Sequence, residues 1–121
     1  MSLTVDIPRN RTAPAVARRA VERLAGRVAA DLLPDLKLLV TELITNSVKY
    51  GPDGPVTLLI DTRGPRHVRV GVVDRGAGFE PRGRARPATE AGGWGLYLVQ
   101  RLSDRWGMKD GVTHVWFEID R

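Results

Sequence analysis

Cysteine is missing from this 121-residue sequence, which excludes a disulfide framework and any thiolate metal site and agrees with a reducing compartment. No apolar run approaches the length of a membrane span, and the first residues lack the basic-then-apolar pattern of a leader. The expectation is a cytoplasmic chain with no membrane association. Aromatic residues are scarce at 6%, and no stacking platform or helix-turn-helix pattern is visible. Direct nucleic-acid binding is therefore a minor reading. Lysine is rare, with 3 Lys against 16 Arg, and the net charge is +5. Arg9, Arg11, Arg18, Arg19, Arg23 and Arg27 precede residue 30, and Arg82, Arg84 and Arg86 form a second group. Acidic residues are interspersed throughout, so the arginine surface would suit an acidic protein partner or a phosphorylated ligand.

What is present is the ordinary material of one globular unit. With 42% hydrophobic and 27% charged residues, residues 1–121 read as a single domain around one core. Leu3 to Ile7 alternates apolar and polar residues, which predicts a short strand ending at Pro8. Thr12 to Val28 reads as a helix with Val16, Ala20, Val21, Leu24 and Val28 on one face and Arg18, Arg19, Glu22 and Arg23 opposite. The opposite face serves either solubility or docking. A second helix runs from Pro34 to Gly51. Val56 to Asp61 and His67 to Asp74 predict an antiparallel hairpin through Arg63-Gly64-Pro65-Arg66. Residues 75–93, rich in Gly, Pro and Arg, have no period and read as a loop. Helical spacing returns from Gly95 to Trp106, and Arg105 to Lys109 with Thr113 to Ile119 predicts a final pair of strands.

Three segments carry chemistry. In the second helix, Leu36, Leu39, Val40 and Leu43 form an apolar stripe. Glu42, Asn46 and Lys49 follow at i, i+4 and i+7 on a neighbouring stripe. A carboxylate, an amide oxygen and an ammonium side by side suit a magnesium–phosphate group, although a solvated face would carry the same residues. The predicted hairpin runs into Asp74-Arg75-Gly76-Ala77-Gly78-Phe79, where a carboxylate leaves the sheet and two glycines permit close backbone approach. Gly92-Gly93-Trp94-Gly95-Leu96 opens a helix, where free backbone N–H groups at the positive end of the dipole suit polyphosphate. Taken singly, each has an ordinary structural use.

In combination and in this order, Glu-x-x-x-Asn, Asp-x-Gly-x-Gly and Gly-x-Gly resemble the GHKL ATPase family of gyrase, heat-shock chaperones, histidine kinases and mismatch-repair ATPases. The resemblance spans residues 36–117, and Gly111-Val112-Thr113 looks like the family's last adenine-contacting segment. A Walker loop, Gly-x-x-x-x-Gly-Lys-Ser/Thr, is absent, so ATP would bind through this other architecture. The small size, the strand and single helix ahead of the first motif, and Leu102-Ser103-Asp104-Arg105-Trp106-Gly107 look most like the anti-sigma-factor serine kinases of sporulation and stress regulation and their actinobacterial relatives. A histidine kinase would need a helix bearing a phospho-acceptor histidine, whereas His67 and His114 fall on predicted strands.

The resemblance implies an α/β two-layer sandwich, with a mixed, mainly antiparallel sheet and about three helices on one face. It implies ATP and Mg2+ as cofactors. Asn46 would coordinate the metal, and Lys49 would neutralise phosphate charge or simply be solvated. Asp74 would accept a hydrogen bond from the adenine amine and reject GTP. Gly76 and Gly78 would shape the adenine pocket. Gly92, Gly93, Gly95 and Leu96 would hold the phosphates and hinge a lid over Glu80 to Ala91. Thr113 would contact the base. Trp94, inside the glycine box, would either cover the nucleotide or pack on the neighbouring helix, of which packing is the simpler reading. Glu42 would be the general base toward water or a serine hydroxyl. The implied partners are a sigma factor and a small anti-anti-sigma protein, with homodimerisation. The alternative is an ATP-dependent binding module that regulates a partner without phosphoryl transfer.

Overall fold

The structure is a computed structural model and describes residues 1–50, 54–74, 94–109 and 114–121. Its elements are β1 (Ser2–Ile7), α1 (Ala13–Glu22), a single 3-10 turn (Ala30–Leu32), α2 (Leu33–Tyr50), β2 (Val56–Gly64), β3 (His67–Asp74), α3 (Trp94–Leu102), β4 (Arg105–Lys109) and β5 (His114–Asp120). The strands form one sheet in the order β1-β2-β3-β5-β4. Every pairing is antiparallel, so among the described residues the sheet lacks the mixed component expected from the sequence. The reason is topological. The crossover through α3 brings β4 back in the same direction as β3 but one position away, and β5 folds back to fill the gap.

Alternation along the strands puts one row of apolar side chains under the helices. Leu3 and Ile7, Val56, Leu58 and Ile60, Val68, Val70 and Val72, and Phe117 and Ile119 are all buried on this face. Ala13, Ala17, Ala20 and Val21 of α1 and Leu36, Leu39, Val40, Leu43 and Ile44 of α2 cover them, with Val99 of α3, in a continuous cluster. This is the α/β two-layer arrangement with three helices that the motifs imply. No described helix is long and apolar enough to cross a membrane.

Two helices stop earlier than their apolar spacing predicts. α1 ends at Glu22, and the chain turns through Gly26, whose φ of 86° lies in the left-handed region that favours glycine. Leu24 and Val28 still reach the core, so their period reports burial from a turn rather than a longer helix. α3 ends at Leu102: the Ser103 amide still donates to the Val99 carbonyl, and its hydroxyl to the same acceptor, but the Asp104 amide donates instead to the Glu118 carbonyl in β5. The segment from Arg105 is thereby drawn into the sheet.

The opposite face of the sheet is polar and tightly fitted. The Trp116 ring lies over Gly107, where a Cβ would sit 2.9 Å from ring atoms, and the Arg69 guanidinium lies 4.2 Å from the ring centroid. Glu118 ties three strands together, with His67 Nε2 at 2.8 Å, Arg69 Nη1 at 2.9 Å and Arg105 Nη2 at 3.2 Å. The hydrogen bond with His67, then Arg105 and Arg69, holds the Glu118 carboxyl below its ordinary value against an opposing effect of burial. A carboxyl depressed in the folded state binds a proton more readily when unfolded. Its stabilising contribution is therefore complete above the ordinary glutamate pKa and is lost as pH falls through the depressed one. Glu118→Gln is expected to flatten the fall in unfolding free energy below about pH 5. Denaturant unfolding of both proteins between neutral pH and pH 3 measures this, and parallel curves would show that Glu118 carries none of the acid sensitivity.

Candidate functional site

The sheet register builds the site. Ile7 of β1 lies opposite Val56 of β2, and Val56 lies opposite Asp74 of β3. These three residues form one row on the helix-covered face. Two fill it with apolar volume, and the third brings a carboxylate whose side chain is only 2% exposed. An ion so far from water needs a countercharge and donors, and Arg9, two residues beyond the end of β1, supplies them. Its Nη2 donates to Asp74 Oδ1, its Nη1 to the Ser47 carbonyl, and its Nε to the Gly54 carbonyl at 2.8 Å. The Ser47 carbonyl is among the last four of α2, which have no partner within the helix. Gly54 has a φ of 116°, a backbone state that a side chain would strain. A cavity of about 460 Å³ adjoins this junction, lined by Asp6, Ile7, Pro8, Arg9, Gly54 and Pro55.

The residue just before Ser47 is Asn46. Along α2, Leu39, Val40, Leu43, Ile44 and Ser47 are buried, Glu42 and Asn46 are half-buried, and Lys49 is exposed. Glu42 and Asn46 thus occupy the rim of the buried stripe, where their spacing puts them. Through the Arg9 guanidinium, the carboxylate at the end of β3 is joined to the helix turn that carries Asn46. Gly95 and Leu96 belong to the first turn of α3, which begins at Trp94. Gly76, Gly78, Gly92, Gly93 and Thr113 lie outside the described residues, as does the segment Glu80 to Ala91.

His67 and His114 lie on strands, with His67 beside Glu118 and the His114 ring against Gly71. Neither is presented on a helix. Among the described residues, no group of three or more His, Cys, Asp or Glu side chains could hold a metal ion.

Arg9 is the residue that sequence reasoning missed, since it counted only as one of the arginines before residue 30. The available signal was its place just after Pro8, which closes a strand. Recognising its partner requires the register of β1 on β2 and of β2 on β3, and a single sequence does not carry that register.

No curated protein matches the chain. A family model described as the histidine kinase-like ATPase domain matches residues 7–119. The match starts well ahead of the first motif and takes in Arg9 and α1 as well as the three chemical segments. On that match the chain belongs to the histidine kinase-like ATPase domain family, an ATP-binding fold.

Proposed function

We propose that this chain is a Mg-ATP-dependent serine/threonine protein kinase of the anti-sigma-factor type. Its substrate would be a serine of a small anti-anti-sigma protein, and its second partner a sigma factor. The observation that carries the nucleotide part is Asp74, a buried carboxylate at the end of an interior strand, joined by Arg9 to the helix turn bearing Asn46. An acceptor-only group in that position suits the exocyclic amine of adenine and opposes the carbonyl of guanine.

Asn46 offers a hard oxygen ligand of the kind Mg2+ takes. A magnesium ion bound with few protein ligands draws the rest from phosphate oxygens and water. The donor set on α2 fits such an ion, which would neutralise charge on the phosphates. Glu42, one turn before Asn46 and half-buried, would accept the proton of the incoming serine hydroxyl. Lys49 at the exposed end of the row would add positive charge. In this reading Arg18 and Arg19 on α1 and Arg23 just after it, with Arg82, Arg84 and Arg86, are docking residues for the protein partners, and the chain works as a homodimer.

Thermal unfolding of wild type and Asp74→Asn with Mg-ATP, Mg-GTP or no nucleotide tests the site. A ligand present at roughly 100 times its dissociation constant adds about 2.7 kcal/mol when it binds only the native state. The expected result is a raised midpoint with ATP alone, lost in Asp74→Asn. Equal shifts with GTP would overturn the role given to Asp74. Radiolabelled γ-phosphate appearing on serine of an anti-anti-sigma protein supports the kinase. Partner binding that requires ATP but yields no phosphoserine means a non-catalytic module instead.

A further inference from the structure

We propose that Arg9 is a positioning residue that sets base specificity, by keeping Asp74 an ionised, oriented acceptor. The proposal rests on the reading of Asp74 as the partner of adenine. The Arg9 side chain is only 15% exposed and that of Asp74 2%, and the guanidinium N–H groups engage acceptors on three separate segments: the end of α2, Gly54 ahead of β2, and the end of β3. Two backbone carbonyls fix the plane of the fork, and the fixed plane fixes where Nη2 meets Oδ1. A lysine, with one compact ammonium, cannot hold three such acceptors in one plane.

Burying an ion pair is a weak way to gain stability compared with apolar packing of the same volume. The arrangement does determine what Asp74 can offer a base. Beside a guanidinium, the carboxyl group stays an acceptor and satisfies an amine. Without the guanidinium, a carboxyl group in so dry a position binds a proton more readily. It then becomes a donor as well, able to satisfy a 6-oxo purine. Arg9 therefore decides between amino and oxo purines without touching either.

Mg-ATP and Mg-ITP provide the test, because they share the sugar and triphosphate and differ in whether the purine carries an amine or an oxo group at position 6. Wild-type protein is expected to bind ATP more tightly than ITP by roughly 10- to 100-fold, the range of a hydrogen bond to a charged group. In Arg9→Met the ratio should fall to within about threefold, with ITP affinity kept or raised, and Arg9→Lys should retain part of the ratio. An unchanged ratio in Arg9→Met overturns the proposal, even if both affinities drop, because a purely structural brace would weaken both ligands alike. If Arg9→Met does not fold, the neutral, hydrogen-bonding Arg9→Gln is judged by the same ratio. Wild-type protein that binds neither nucleotide sinks the nucleotide site itself, whereas normal ATP selectivity surviving in Arg9→Met or Arg9→Gln sinks this inference alone.

Discussion

Glu42→Gln is expected to bind Mg-ATP within about twofold of wild type and to transfer phosphate to a serine substrate roughly 10²–10⁴ times more slowly. The amide has the size of the carboxylate and keeps the half-buried rim of α2 filled, but it cannot take a proton from the incoming hydroxyl. Isothermal titration with ATP and a labelled-phosphate transfer assay separate the two properties. If transfer continues at the wild-type rate, Glu42 is not the base. A loss of ATP binding as well would make Glu42 a binding residue. Glu42 lies one turn from Asn46 on the same stripe, so a helix distortion would damage both; far-ultraviolet dichroism of the variant guards against that confusion.

The largest stability effect is expected at Phe117. It is fully buried in β5, opposite Val70 of β3 and Trp106 of β4. Truncation to alanine removes a ring from the interior of the sheet where neither neighbouring strand can close the space. The loss should be about 3–5 kcal/mol, a large part of the 5–15 kcal/mol that typically holds a domain together. Phe117→Leu, which keeps most of the volume, should lose about 1 kcal/mol. Urea unfolding at neutral pH measures both, and a loss under about 1 kcal/mol for alanine would contradict the packing around β5.

The strands were legible because apolar residues recur at every second position: Leu3, Val5 and Ile7, then Val56, Leu58 and Ile60, then Val68, Val70 and Val72 share the helix-covered face. Helix ends were not, because Leu24, Val28 and Trp106 reach the interior from a turn and from a strand, and apolar spacing cannot distinguish those routes from helix. The α2 row was legible as well, since Glu42 and Asn46 at helical spacing beside a buried stripe must stand at its rim. The strand order was not, because nothing local in β5 says that it enters between β3 and β4. Arg9 was hidden for the same reason, since its partners are 38, 45 and 65 residues away.

The insertion of β5 between β3 and β4 also bears on the order of folding. The β1–β2–β3 meander is contiguous in sequence and can pair before β5 arrives, and β3, which bears Asp74, is then the strand awaiting a partner. β5 fills that place, and its residues Phe117 and Ile119 complete the interior. Until β5 docks, a folding chain carries a Val-rich strand able to pair with another copy. A nucleotide competent to bind only the closed sheet would reward the chains that finish in the right order.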